Sequence, residues 1–181
     1  MPETDESAIL RHLKAGNMEQ AFTLLLAQYQ ERLYRHIRKL LIDHHDSDDV
    51  LQSTFLKVWG ALPGFRADSS IFTWLYRIAT NEALSFLKQK KRRAFAPWVD
   101  VEAKMADALA TDCFFDGDEL QLKLQQAVLR LPEKQRLVFN MKYFDELKYE
   151  EISEILGSPV GTLKASYHHA VKKIKTALQE D

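Results

Sequence analysis

Residues Tyr149 to Lys175 read YEEISEILGSPVGTLKASYHHAVKKIK. Two helical periods flank a break at Gly157, Ser158 and Pro159. Glycine tolerates the left-handed backbone that a tight turn between helices needs, and proline suits the opening of the second helix. Ile152, Ile155 and Leu156 share one face of the first helix, and Leu163, Tyr167, Ala170, Val171 and Ile174 one face of the second. Lys164, Ala165, His168, His169 and Lys172 are left pointing broadly outward. The pattern predicts a helix-turn-helix, with an apolar seam inside and polar side chains free to enter a major groove. An ordinary helical hairpin with a solvated basic face has the same pattern, so the segment alone leaves both readings open.

Outward from this stretch the chain is helical in period. From Ala8 to Leu13 a short amphipathic helix is expected. Asn17 is placed to cap a longer one, in which Phe22, Leu25, Leu26, Tyr29, Leu33, Ile37, Leu40 and Leu41 recur three and four apart. DHHDSDD interrupts that pattern, and Asp46 or Ser47 can cap the next helix, with Asp48 and Asp49 in its first turn, where acids suit the helix dipole. Pro63 and Gly64 end it. Ser69 or Ser70 can cap a long helix that begins IFTWLY and ends LKQKKRR. Residues 95–117 read as an acidic, flexible linker, with local helix possible only near Val101 to Leu109. Helical period resumes at Asp118. The expected fold is therefore all-α: a domain at 1–94, the linker, and a helix-turn-helix domain at 118–181.

Composition sets limits on function. The chain has 181 residues, 46% of them hydrophobic and 28% charged, which fits a globular protein rather than a disordered one. No apolar run approaches the roughly 18 residues of a membrane span, and MPETDESAIL lacks a signal pattern. A cytoplasmic location is expected. The single cysteine, Cys113, excludes an internal disulfide and a cysteine metal framework. The pairs His44–His45 and His168–His169 do not suggest a metal, because neighbours on a helix point about 100° apart. The chain shows no phosphate loop and no nucleophile with a plausible base. Neither catalysis nor a cofactor is expected. The net charge of −1 is an average over segregated blocks, basic in LKQKKRR and ASYHHAVKKIK and acidic between them. Phosphate binding follows the local patch, not the sum.

Phe72, Trp74 and Tyr76 come in succession, with Arg77 and Asn81 following at helical spacing. Aromatics beside cations suit single-stranded DNA, where stacking contributes about 1–3 kcal/mol per base. Core packing is the alternative. Successive odd positions on a helix cannot all face inward, so at least one of the three rings should be partly exposed.

DSDDVLQSTFLKVWGALPGF, TWLYRIATNEA and the Tyr149 segment, in that order and spacing, resemble a bacterial RNA polymerase sigma factor of the extracytoplasmic-function (ECF) class of the sigma-70 family. The likeness runs from about Phe22 to Leu178. It implies a first domain (sigma domain 2) that docks on the clamp helices of the largest polymerase subunit through Asp48, Asp49 and Gln52. The same domain would melt the −10 element, with a base-pocketing loop from Phe65 through Arg66 to Ser69 and Ser70. Trp74, Arg77, Asn81, Ser85 and Lys88 would face the unwound strand. The second domain (sigma domain 4), held near the polymerase flap, would read the −35 element through Lys164, Ala165, Ser166, His168, His169 and Lys172. The linker would thread the polymerase channel, and an anti-sigma factor would be a further partner. Members often carry arginine where this chain has Lys164, Ser166 and His169, and Asn or Asp at Ser85. Its base preferences therefore do not transfer. A helix-turn-helix regulator acting without polymerase is the alternative, but it would normally dimerise and has no use for TWLYRIATN.

Overall fold

The computed structural model describes residues 6–94, 98–111 and 119–180. Every regular element among them is helical. In chain order they are α1 (Glu6–Lys14), α2 (Met18–Leu41), α3 (His44–Ala61), a 3-10 turn (Leu62–Gly64), α4 (Ile71–Ala94), α5 (Trp98–Thr111), α6 (Glu119–Leu129) and α7 (Glu133–Phe139). A π-helical turn over Asn140–Phe144 extends α7, and α8 (Tyr149–Leu156) and α9 (Val160–Glu180) follow. Cys113 lies outside the described residues.

The central helix is α2. Its stripe of Leu25, Tyr29, Leu33, Ile37, Leu40 and Leu41 is buried, with Phe22 and Leu26 half-buried at one end. It packs against Val50, Phe55 and Val58 of α3 and against Ile71, Leu75, Ala79, Ala83 and Leu87 of α4. Those α4 residues recur every fourth position and, with Phe72, Thr73, Tyr76 and Thr80 beside them, make up its inward side, which leaves the opposite side outside. Glu6 of α1 ties this end together, accepting from the Tyr29 hydroxyl at 3.0 Å and the Phe72 amide at 3.2 Å.

The helix starts differ in part from the sequence expectation. Ser70 does cap α4, its Oγ accepting from the Thr73 amide at 3.0 Å. Asn17 holds the position before α2 but makes no side-chain cap bond. The cap of α3 is Asp43, not Asp46 or Ser47. Its carboxylate accepts from the Asp46 amide at 2.9 Å, and the buried Ser47 hydroxyl donates back to the Asp43 carbonyl. Six of the seven residues of DHHDSDD, His44 to Asp49, are thus helix, and the apparent interruption is the polar start of α3.

The middle segment also differs. Where a flexible linker with at most local helix near Val101 to Leu109 was expected, Trp98–Thr111 forms the longer α5, and its Met105 and Leu109 are buried with Ile42 and Leu129 in a small apolar cluster. Two apolar residues four apart suffice to seat a helix that its acidic composition disguises. Ile42, just past the end of α2, is buried there with φ of +64°. A β-branched residue adopts that backbone only under constraint, and its packing against α5 supplies one.

Leu137, Val138, Met141, Leu147, Ile152, Ile155 and Leu163 of the second half belong to the same apolar cluster as the α2–α4 core. The two halves are docked, and a polar node fixes how. Asp145, just after the π turn, is buried. His36 Nδ1 donates to one of its oxygens at 2.7 Å and Lys39 Nζ to the other at 2.6 Å. His36 Nε2 meets Thr80 Oγ1 of α4 at 2.9 Å. Asn140 donates to the Lys39 carbonyl at 3.3 Å. In an α-helix, residues five apart point about 140° apart. The π turn, closed by the Asp145 amide on the Asn140 carbonyl at 3.0 Å, turns Asn140 and Asp145 to the same helix.

Burial alone would raise the Asp145 pKa. The bonds and charges of His36 and then Lys39 outweigh it and hold the carboxyl below its ordinary value. Tyr76 also faces it from α4, but burial and the Asp145 charge push that hydroxyl's pKa far up, so it stays neutral. A lowered carboxylate stabilises the folded chain fully above the ordinary carboxylate range, and the contribution fades as pH falls through the lowered value. Asp145→Asn should therefore cost up to about 3 kcal/mol in urea unfolding at neutral pH. The gap from wild type should close on acidification below the ordinary carboxylate range. A gap that stays constant into acid would contradict the ion-paired assignment.

Candidate nucleic-acid and polymerase interface

The helix-turn-helix forms as its spacing predicts. Gly157 ends α8 with φ of +63°, its amide bonded to the Ser153 carbonyl at 2.8 Å. Ser153 Oγ donates to the Ser158 carbonyl at 2.8 Å and closes the turn. Ile152, Ile155, Leu163, Ala170 and Ile174 are buried, and Leu156, Tyr167 and Val171 half-buried. Phe139 of α7 stacks on Tyr167 with centroids 5.8 Å apart and planes 14° apart, so α9 is held from behind. Lys164, Ala165, His168, His169 and Lys172 are exposed and Ser166 half-buried, which brings the six residues expected at the −35 element onto the outward side of α9. Lys164 Nζ lies 5.7 Å from the Tyr149 ring centroid, which orients it beside α8.

On α4, Arg77, Asn81, Ser85 and Lys88 are exposed and Trp74 half-buried, three and four residues apart along one side. Of the three successive rings, Phe72 and Tyr76 are buried and Trp74 is the partly exposed one. Phe65 packs on Trp74 with centroids 4.9 Å apart, so the loop folds back onto α4. Arg66 is exposed and Ser69 half-buried. Ser70 is committed to capping, since its Oγ also donates to Thr73 Oγ1 at 2.9 Å. Ala67 in this loop has φ of +59°, an uncommon backbone for a residue with a side chain. Lys88 and Ser85 line a shallow groove with Ser53, Glu82, Gln89 and Arg92. Part of the basic end of α4 is paired internally: Lys90 with Asp46, and Lys91 with Glu133 at 3.1 Å. Arg77 is engaged too, donating from Nε and Nη2 to the Glu154 carbonyl of α8 at 3.1 and 2.7 Å.

Asp48, Asp49 and Gln52 are exposed on α3, and with Gln30 they rim a groove of about 510 Å³. Its floor is apolar: Phe22, Leu26, Leu51, Phe55, Leu56 and Trp59. Leu56 is 68% exposed and Trp59 44%, although the Trp59 ring packs edge-on to Phe22 at 5.1 Å. An acidic rim around exposed leucine and tryptophan is the pattern of a partner surface. The sequence reading named the rim and missed the floor. The signal was present: Leu56 and Trp59 fall off the buried period of Val50, Leu51, Phe55 and Val58. It also passed over His36, Lys39 and Asp145, whose separation in sequence hides that they meet.

A helical molecule that carries a helix-turn-helix and, on a second helix packed against it, an aromatic and cationic outer side has the build of a DNA-binding protein. Residues 25–93 match the family model described as sigma-70 region 2, and residues 121–174 the one described as sigma-70, region 4. The RNA polymerase sigma-H factor of Pseudomonas aeruginosa is 31% identical, covering 99% of this chain and 96% of its own. The ECF RNA polymerase sigma-E factor of Escherichia coli strain K12 is 33% identical over 96% and 94%. SigW of Bacillus subtilis, also an ECF RNA polymerase sigma factor, is 30% identical over 94% and 95%. CnrH, solved in complex with the cytosolic domain of CnrY, superposes with a TM-score of 0.71 at 22% identity, covering 99% of both chains. RpoE of Bartonella quintana, solved with the anti-sigma factor NepR, gives 0.69 at 21% identity, over 88% of this chain and 98% of that one. The chain belongs to the sigma-70 family, in its ECF group of RNA polymerase sigma factors.

Only backbone strain would resist a side chain at Gly157, since an added Cβ meets nothing within 4 Å. Gly157→Ala should cost about 1–2 kcal/mol, seen as a lower urea midpoint. A neutral result would mean that the turn relaxes freely.

Proposed function

We propose that this chain directs core RNA polymerase to promoters by a division of labour between three surfaces. The α3 groove docks on polymerase, with Asp48, Asp49 and Gln52 at its rim and Leu56 and Trp59 as apolar anchors. The outer side of α4, with the loop from Phe65 through Arg66 and Ser69 to Ser70, captures the melted −10 strand. Trp74 offers a stacking face there, Arg77, Asn81, Ser85 and Lys88 hold backbone and base edges, and Ser70 fixes the loop as its cap. On α9, Lys164, Ala165, Ser166, His168, His169 and Lys172 read the −35 major groove. The domains are 1–94 and 118–181, with α5 inside the connecting segment.

The observation that carries this reading is the coexistence of these surfaces on one chain. A lone helix-turn-helix regulator needs neither an acid-rimmed apolar groove nor a half-exposed tryptophan on a cationic helix side. The chain supplies recognition and the polymerase the chemistry, so it is not itself an enzyme. No described helix is long and apolar enough to cross a membrane, which is compatible with action in the cytoplasm. An anti-sigma factor, the partner in the RpoE complex, fits as a regulator here.

In vitro transcription on a genomic fragment library tests the proposal. Core polymerase plus this protein should give start sites that core alone does not. No new start sites and no co-purification with core would refute it. Trp59→Ala should weaken core binding by about 1–2 kcal/mol, measured by fluorescence titration, with folding unchanged because the ring is an outer one. Lys164→Ala should reduce use of a −35-dependent promoter by about 1–3 kcal/mol if the ammonium meets a base. Unaltered transcript levels would remove Lys164 from the reading set.

A further inference from the structure

We propose that Glu6 of α1 is a positioning residue for promoter recognition: by holding the start of α4 at the Phe72 amide, it fixes the loop from Phe65 to Ser70 in the pose that decides which base the loop accepts. This rests on the reading of that loop given above. Glu6 lies ahead of residues 25–93, the segment that matches sigma-70 region 2.

Three observations converge. A helix start leaves amides without intrahelical partners. At the start of α4 the Thr73 amide is closed locally by Ser70 Oγ at 3.0 Å, whereas the Phe72 amide is closed by Glu6 Oε1 at 3.2 Å, from 66 residues earlier in the chain. A carboxylate also suits the positive end of the helix dipole. The same oxygen accepts from the Tyr29 hydroxyl of α2 at 3.0 Å. One oxygen thus joins α1, α2 and α4, and α1 is itself seated by the buried Ile9, with Leu10 and Leu13 half-buried against the same core. Second, Glu6 stands in the wall of a cleft that Phe65, Ala67, Asp68 and Ser69 of the loop also line. The bond that fixes the helix start is therefore beside the loop. Third, the loop depends on fixed ends. Ala67, with φ of +59°, keeps that backbone only while its surroundings over-determine it. Phe65 packed on Trp74 at 4.9 Å pins one end, and the Ser70 cap pins the other. Both pins stand at the start of α4, so a shift of that turn moves them together.

The consequence falls on choice more than on affinity. Phosphate contacts position a nucleic acid, and contacts to base edges select its sequence. Selection by hydrogen bonds tolerates misplacement of only roughly half an ångström. Without the Glu6 bond, the stacking face of Trp74 and the exposed Lys88 remain on α4, so capture of a strand persists. What loosens is the loop, and with it the discrimination among bases at the one strand position it takes. Each contact in this set lies within residues 6–74, so it does not depend on where the second half sits.

The experiment transcribes a promoter-fragment library randomised across the −10 element, using core polymerase with the full chain or its variants, and counts transcripts by template sequence. At one −10 position Glu6→Ala should shrink the preference for the best base by at least about fivefold, the low end of what one specific base contact contributes. The −35 preference should not change. Glu6→Gln keeps an acceptor oxygen at the same reach and should retain the wild-type preference. Glu6→Asp, a methylene too short to reach both donors, should act like Glu6→Ala and replaces it should that variant not fold. Ile9→Val loosens α1 without touching the bond; it should lower the urea midpoint and leave the preference intact. A second arm uses the free chain. In a Trp59→Phe, Trp98→Phe background, Trp74 emission reports the Phe65 contact, and it should shift to the red with Glu6→Ala and stay in place with Glu6→Gln. An even loss of transcription from every −10 sequence, or an unaltered preference in Glu6→Ala and Glu6→Asp, would overturn the proposal. So would loss of preference in Glu6→Gln, an equal loss in Ile9→Val, or unshifted emission in Glu6→Ala. Absence of any −10 preference in wild type would instead strike the function reading, and the emission arm, which involves no polymerase or DNA, would still decide whether Glu6 fixes the loop.

Discussion

A carboxylate cannot be buried alone. Asp145 is removed from water, and an unpartnered charge there would cost several kcal/mol. It must find partners, and they stand on α2, more than a hundred residues earlier in the chain: the His36 ring and the Lys39 ammonium. That requirement sets the relative pose of the two halves more sharply than apolar contact does, because apolar faces slide and a two-oxygen, two-donor contact does not. The π turn follows from it, since Asn140 and Asp145 reach one neighbouring helix only if the backbone brings residues five apart into line. The contact of α8 with α4, and with it the engagement of Arg77, is downstream of the same constraint.

The fold was largely legible in the sequence, because its helices are amphipathic and periodic. The stripe of α2, the seam of the helix-turn-helix, the left-handed Gly157 and the Ser70 cap all depend on neighbours within four residues. What escaped depends on distant partners or on weak local signals. Asp43 was passed over as a cap because Asp46 and Ser47 are equally good cap chemistry, and choosing among them depends on where α2 releases the chain. The α5 segment was read as an acidic linker with local helix possible near Val101 to Leu109, because the burial of its anchoring residues, Met105 and Leu109, depends on the distant Ile42. Of the site, the polar residues were legible by type. The apolar floor of the α3 groove was carried only by the phase of Leu56 and Trp59, which fall off the buried period of their helix, a weaker signal than residue type.

One helix, α4, carries opposing demands along its two sides. Its inner stripe uses Ile71, Leu75, Ala79, Ala83 and Leu87, and its outer side uses Trp74, Arg77, Asn81, Ser85 and Lys88. Neither set can drift without disturbing the other, since a rotation of one residue moves every side chain by about 100°. The Ser70 cap and the Glu6 bond to the Phe72 amide fix that rotation at the N-terminus. The loop before α4 is held at its start by Phe65 packed on Trp74 and at its end by the Ser70 cap. A strained Ala67 can persist there because both ends of the loop are anchored.

The modest charge of α9 then becomes intelligible. Duplex affinity grows with the number of phosphates neutralised and is steeply lost in salt. With Lys164 and Lys172 as the cations among the six outward residues proposed to read DNA, α9 would gain little from the backbone alone. Its histidines, when neutral, offer directional donors and acceptors instead of charge, which discriminates among base edges better than it holds phosphate. A reader of this kind depends on a partner for residence and retains choice for itself. The α3 groove on the opposite half, acid-rimmed and greasy at its floor, is where such a partner would supply the residence. Weak DNA charge at one end and an unsatisfied protein surface at the other are therefore two sides of one design: each half would be insufficient without the assembly that both imply.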